Sequence, residues 1–186
     1  MTLTPAEIKT LFFYRDDVFA VQIPIGSYIP VKRPIEIKDI EKHLSGEQTI
    51  GAYCVNTDNK VKWACVDLDG NDLMSLLQQA NDIYDIFKDF NRMLEFSGRR
   101  GYHVWIFFEE PVFAEYAKAL VKARLKDINA DRHEVFPKQT ELNEGRKFGN
   151  LVKIPCGIHK KSGKKSEIIK RDSPEKAKPK GDIDLF

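Results

Sequence analysis

Two apolar segments, Val61-Lys62-Trp63-Ala64-Cys65-Val66 and Tyr102-His103-Val104-Trp105-Ile106-Phe107-Phe108, are rich in β-branched and aromatic residues. They read as strands that must be buried, and any fold open to this chain has to cover them. Turn chemistry precedes each. Asn56-Thr57-Asp58-Asn59-Lys60 separates Thr49 to Val55 from Val61 to Val66, and Ser97-Gly98-Arg99-Arg100-Gly101 separates Met93 to Phe96 from Tyr102 to Phe108. Both arrangements predict a β-hairpin. Between the hairpins, Asn71 or Asp72 can cap a helix whose Leu73, Leu76, Leu77, Ala80, Ile83, Tyr84, Phe87 and Phe90 recur at helical spacing. A further amphipathic helix is expected from about Val112 to Lys126, with Phe113, Tyr116, Ala117, Leu120, Val121 and Leu125 on one face.

Short strands near His133 to Phe136 and Leu151 to Ile154 are closed by Pro137 and Pro155. At the start, Thr4-Pro5-Ala6-Glu7 has the makings of a capping box, and Ile37 to Leu44 reads as a helix stopped by Ser45-Gly46. The succession of hairpin, helix, hairpin, helix and strands predicts an α+β, or mixed α/β, domain with a mainly antiparallel sheet.

A length of 186 residues suits one domain, or one domain and a tail. No apolar run approaches the ~18 residues a membrane span needs. The N-terminus lacks the basic and apolar regions of a signal peptide, so a cytoplasmic protein is expected. Cys54, Cys65 and Cys156 have no Cys-x-x-Cys spacing; they read as small buried hydrophobes, with no zinc expected. The formal charge is only +2, but it is unevenly placed. From residue 160 to 180, Lys160, Lys161, Lys164, Lys165, Lys170, Arg171, Lys176, Lys178 and Lys180 face only Glu167, Asp172 and Glu175. Such a stretch can neutralise phosphates. Beyond Ser173 it reads instead as a solvated, flexible tail or linker.

Four groups of residues can carry chemistry. Asp67-Leu68-Asp69 follows directly on an apolar strand, and side chains two apart on a strand share a face at roughly 6.5 Å. Two carboxylates so placed can hold one hard cation or bracket two; the bland alternative is a strand entering a polar turn. Ser97-Gly98-Arg99-Arg100-Gly101-Tyr102-His103 offers backbone N–H groups, a hydroxyl, two guanidiniums and an imidazole to phosphate oxygens. In His133-Glu134-Val135-Phe136-Pro137-Lys138-Gln139, Glu134 is an acid in an otherwise apolar strand and wants a metal or cation, with Asp131 a competing acid. Lys138 and Gln139 follow, placed to contact nucleotide or backbone. Gly149 to Lys160 carries Lys153, His159 and Lys160, which local physics alone does not mark as a site.

Taken in order, VDLDG, SGRRGYHVWIFF, EVFPKQ and GNLVKIPCGIHKKSG resemble the archaeo-eukaryotic primase superfamily. The likeness is greatest to the primase-polymerase domains of CRISPR-associated and related mobile-element or defence (conflict) systems. It extends from the LFFYRDD stretch at Leu11 to Asp17, through His43-Leu44 and Thr49-Ile50-Gly51, to about Gly163. It implies a catalytic core over residues 1–172, with an N-terminal α/β part (1–50) beside an RRM-like catalytic part (51–172), followed by a tail (173–186). It further implies a template-dependent nucleotidyltransferase that makes primers or extends DNA or RNA strands by a two-metal mechanism. Asp67, Asp69 and Glu134 would hold two Mg²⁺ or Mn²⁺ ions, and His103 would meet the incoming triphosphate. Ser97, Arg99, Arg100, Lys138, Gln139, Lys153 and His159 would hold nucleotide or template. The implied partners are nucleoside triphosphates, single-stranded or primed DNA or RNA, and CRISPR-associated or helicase proteins, with the chain itself a monomer.

Two other readings stay open on sequence. A two-metal nuclease also needs clustered carboxylates but no triphosphate pocket. A non-catalytic binding module would use Tyr102, Trp105 and Phe107 as stacking platforms, although their apolar strand suits core residues better.

Overall fold

A computed structural model describes residues 2–145 and 147–172. The elements in chain order are α1 (Pro5–Phe12), β1 (Phe19–Gln22), β2 (Tyr28–Val31), α2 (Ile37–Ser45), β3 (Ile50–Tyr53), β4 (Lys60–Asp69) and α3 (Leu73–Ile86). Then come β5 (Asn91–Phe96), β6 (Gly101–Phe113), α4 (Ala114–Asp127), β7 (Glu134–Phe136), β8 (Leu151–Lys153) and β9 (Glu167–Arg171). They form two antiparallel sheets, one ordered β2-β1-β3-β8 and the other β7-β4-β6-β5-β9. The mixed α+β class read from the sequence is the class observed.

Helix ends follow the local chemistry. Thr4 and Glu7 form the capping box of α1. The Asp72 carboxylate accepts from the Met74 and Ser75 N–H groups at the start of α3, and Gly46 ends α2 at φ +85°. A left-handed residue of this kind is the usual glycine stop of a helix.

The first expected hairpin is not one. Its turn forms, with Asn56 N–H donating to the Lys60 carbonyl and the Asn56 side chain accepting from Asp58 and Lys60. The strands on either side then part. β3 lies between β1 and β8, whereas β4 lies between β7 and β6. The reason is burial: β3 is buried along its whole length, and β4 buries side chains of both faces. Each has to be an inner strand covered on two sides, so each becomes central to its own sheet. The second hairpin, β5 with β6, forms as expected.

Other corrections follow from packing. β1, β2 and β9 had no clear signal in the sequence. The helix placed at Val112 starts at Ala114, because β6 continues to Phe113. Phe113 and Tyr116, expected on the buried face, are 61% and 42% exposed. Phe87 and Phe90 lie beyond the end of α3 but still pack together and against Phe108. The sheets also do not divide at residue 50, since β3 and β8 join β1 and β2. The tail at 173–186, with Lys176, Lys178 and Lys180, lies outside the described residues.

The two faces of the five-stranded sheet differ. Phe108 meets Phe90 on the face turned to α3. The opposite face carries Trp63 and Trp105, and Phe12 of α1 packs edge-on to Trp105 at 4.9 Å between ring centres. Further along this face, toward the end of β4, the apolar cover gives way to charged side chains.

Candidate active site

The polar end is built by strand register. Asp67 of β4 lies directly opposite His103 of β6 on one side and Glu134 of β7 on the other, and His103 lies opposite Glu95 of β5. Residues directly opposite across antiparallel strands point to the same face. Glu134, Asp67, His103 and Glu95 therefore form one row across four strands. Asp69, two residues on from Asp67, extends the row toward the strand ends. β4 thus runs past Val66, where the sequence placed its end, and carries both aspartates in regular strand.

Each acid has a cationic neighbour. The His103 Nε2 is 3.6 Å from Asp67 Oδ1, Arg100 Nη2 donates to Asp69 at 2.7 Å, and Lys138 Nζ donates to Glu134 at 2.8 Å. Burial raises the Asp67 pKa; the charges of Asp69 and Glu134 add to that rise, while His103 and Lys138 oppose it. Asp131 sits in the exposed turn before β7, out of this row.

Glu95 is fully buried, and the sequence reading missed it. Its Oε2 accepts from Trp105 Nε1 at 2.9 Å and lies 3.1 Å from His103 Nδ1, while Lys153 Nζ approaches Oε1 at 3.3 Å. Burial alone would raise its pKa, but Lys153, His103 and the hydrogen bonds outweigh it and bring it down to about 2. A carboxylate only accepts, so His103 Nδ1 carries a proton. For His103 burial disfavours the charged ring, yet Glu95 and Asp67 prevail and its pKa is raised. The signal for Glu95 was present, because it is an acid between Leu94 and Phe96, the same circumstance that marked Glu134.

Lys153, expected among the residues that hold nucleotide or template, stands at the end of β8. It is 7% exposed, and besides Glu95 it donates to Ser166 Oγ at 2.9 Å and to the Ile154 carbonyl at 3.0 Å.

Two loops bound the row. Ser97 N–H donates to the Gly101 carbonyl at 2.9 Å, which closes the loop between β5 and β6. Gly101 is required there, since a Cβ would stand 2.0 Å from the Leu68 carbonyl oxygen. The second loop, His159 to Lys164, packs on the first: Ser162 Oγ donates to the Gly98 carbonyl at 2.6 Å. His159 stands beside Gly98, and its Nδ1 is buried with no hydrogen-bond partner among the described residues. Burial lowers the His159 pKa, and Lys153 and Arg99 lower it further. Arg99 and Arg100 are exposed, as are Lys164 and Lys138, and Gln139 is partly buried. Lys160 and Lys165 instead reach carbonyls at the end of α2. Asp69 also borders an open depression of about 370 Å³, lined further by Asp72, Ser75, Gln79, Arg132 and His133.

The carboxylates are of the oxygen-donor type that hard divalent cations take, and a cation beside Asp67 would stabilise a charge that burial chiefly, and Asp69 and Glu134 secondarily, disfavour. In that sense the residues fit such an ion. As the side chains stand, Asp69 and Glu134 are engaged by Arg100 and Lys138. Among the described residues no three His, Cys, Asp or Glu side chains come together as a metal-binding group.

Residues 6–178 match the family model of the TOTE conflict system archaeo-eukaryotic primase domain. The chain belongs to that family. Membership supports an enzyme of the nucleotidyltransferase type, and it carries the conflict-system branch of the expected resemblance. The fold is similar to that of the archaeo-eukaryotic primase domain of the primase-polymerase of cyanophage S-2L. The TM-score is 0.52 at 12% identity, over 83% of this chain and 80% of that one. At that identity the likeness speaks for the fold. No curated protein matches. No helix among the described residues is long and apolar enough to cross a membrane.

Proposed function

We propose that this chain is a primase-polymerase, joining nucleotides on a nucleic-acid template from nucleoside triphosphates with the help of two divalent cations. One observation carries the reading: Glu134, Asp67 and His103 lie directly opposite one another on adjacent strands, with Asp69 next along, paired to Arg100 of the Gly98-Arg99-Arg100 rim. Cations held by Asp67, Asp69 and Glu134 would offset charge on the attacking hydroxyl and on the leaving pyrophosphate. The remaining work falls to the protein's own groups. His103 presents its Nε2 on the acid-bearing face, as a donor to a triphosphate oxygen. Arg100 and Lys138 exchange their carboxylate partners for phosphate when substrate binds. Arg99, Ser97 and His159 complete the rim. Preorganised donors of this kind stabilise charge as it develops.

The binding-module alternative loses its platform. Trp105, Phe107 and Tyr102 are 0%, 7% and 7% exposed, so they cannot stack on bases.

The test is strand extension with Mg²⁺ or Mn²⁺, four nucleotides and a single-stranded template, with and without an annealed primer. Product that disappears in Asp67→Asn and Asp69→Asn supports the assignment. Product only on primed template keeps a polymerase and assigns initiation elsewhere. A folded protein that makes no product in any lane, or variants that keep full turnover, would overturn it. A strand shortened in the absence of nucleotides would favour a nuclease.

A further inference from the structure

Arg132 has no role in the scheme above, and its surroundings are unlike those of most other arginines. Arg15, Arg33, Arg92, Arg100, Arg124 and Arg171 each pair with a carboxylate. Among the described residues only Arg99, on the rim, and Arg132 do not. Arg132 is exposed and meets neutral oxygens alone, donating to the Asn129 carbonyl at 3.4 Å and to Gln79 Oε1. His133 Nε2 lies 3.2 Å from the same Gln79 oxygen. The amide is fixed in that direction, because its Nε2 donates to the Ser75 carbonyl at 3.1 Å and to Ser75 Oγ at 3.0 Å. A cation without a counter-charge is thus held, with an imidazole beside it, against the open depression that Asp69 borders.

Sheet order limits what can lie there. The order β7-β4-β6-β5 puts the loop from Ser97 to Gly101 on one side of β4, and Arg132 and His133, which lead into β7, on the other. An in-line displacement sets the attacking and leaving oxygens on opposite sides of the phosphorus that is transferred. With the triphosphate on the Ser97 to Gly101 side, the attacking hydroxyl approaches from the β7 side. The strand that carries this hydroxyl then runs past the end of β4 and over the depression, offering one negative charge per nucleotide. A second triphosphate would fit worse, since the carboxylates of Asp69 and Asp72 line the same depression.

We infer that Arg132, with His133 beside it and Gln79 as their brace, binds a phosphodiester of the growing strand near its 3′ end, whatever the base sequence. The contact holds the strand while its terminal hydroxyl reaches the acids. The identity of the strand rests on the polymerase reading.

The experiment measures binding of the full chain to labelled DNA, without metal or nucleotide and over a range of salt, on a primed template and on the same template unprimed. Arg132→Ala should weaken binding of the primed template about tenfold at low salt, as loss of a charge-assisted hydrogen bond does. The slope of log affinity against log salt should fall in magnitude by about 0.7 to 0.9, the value for one phosphate. Unprimed template should bind almost as before. Arg132→Lys should restore the slope and only part of the affinity. A primer with one uncharged methylphosphonate linkage near its 3′ end locates the contact. At one linkage it should weaken wild-type binding as much as Arg132→Ala does, and cost that variant nothing more. In extension assays Arg132→Ala should raise the KM for primed template about tenfold and leave the nucleotide KM unaltered. The melting temperature should hold, because Arg132 is exposed and bonded only to neutral groups.

An equal loss on both DNAs would assign Arg132 to the template strand, and a raised nucleotide KM would assign it to a triphosphate. Either result overturns the inference, as does an unaltered salt slope. Wild-type protein that binds primed template but extends nothing would refute the polymerase reading, while the methylphosphonate series still decides this one.

Discussion

The two sheets differ in what their strands can afford to carry. β4 and β6 of the five-stranded sheet span Lys60–Asp69 and Gly101–Phe113, with apolar residues buried along most of their length. Anchored in that way, the strand ends can hold Asp67, Asp69 and His103 in register without relying on them for stability. In the four-stranded sheet every strand has only three or four residues. It carries no comparable row. Its attachments are instead special contacts, such as Arg15, which is 5% exposed and donates to carbonyls of Val55, Lys147 and Phe148. Another is His43, whose Nδ1 accepts from Ile50 N–H at 3.1 Å while Nε2 lies 3.0 Å from the Pro155 carbonyl. The lesson is a difference in anchoring: the long strands carry the candidate site on an apolar base, and the short ones are held by individual polar contacts.

The largest effect should come from the charged end of the long sheet. Asp67→Asn is expected to lower extension by about a thousandfold, the upper range for removing one preorganised electrostatic group. The melting temperature should hold or rise, because burial already disfavours the Asp67 charge. A parallel fall in melting temperature would break the comparison.

The second effect belongs to the short sheet. A Cβ at Gly157 would stand 1.9 Å from His43 Cε1, with no room to shift between the ring's two hydrogen bonds. Gly157→Ala should cost about 2–3 kcal/mol, as overpacking does, by urea unfolding. The expected loss of turnover is no more than the unfolded fraction explains.

Acid sharpens the contrast further. Burial is the main cause that brings the His43 pKa from 6.5 down to about 4, with Lys153 adding to it. The unfolded chain then binds a proton between those values and the folded chain does not, so stability falls as pH drops through that window. Between pH 8 and 5 the loss should be about 2 kcal/mol. In His43→Asn, weaker at neutral pH, that part of the slope in urea unfolding should vanish. Glu95 acts lower, its contribution being lost only as pH falls from 4.5 toward about 2.

The smallest change in stability should come from Arg100. Its pair with Asp69 is half exposed on both sides, and exposed pairs add little. Arg100→Gln should leave the melting temperature unaltered and raise the nucleotide KM several-fold. An unaltered KM would remove Arg100 from the proposed rim.

Local order was legible wherever a single segment contained its own reason. The capping box at Thr4 and Glu7, the Gly46 stop, the α3 cap at Asp72 and the β5–β6 hairpin all depend on neighbours a few residues apart. The acids at Asp67, Asp69 and Glu134 were legible as residue types in apolar strands, and so was the preference for core over stacking at Trp105. The same logic applied to Glu95, whose acid is enclosed by Leu94 and Phe96.

What tertiary structure alone decided is which distant segments meet. Asn56 to Lys60 specified a reversal, but not that the strands beside it would join different sheets. Gly51 pairs with Lys153, and Asp67 lies between His103 and Glu134, at separations no local rule spans. The sequence by itself determined which side chains were available for chemistry, because hydrophobic period and turn propensity act over a few residues. Their partners, including the burial of Lys153 against Glu95, were decided by sheet docking, because the desolvation and pairing of a charge depend on everything that closes around it.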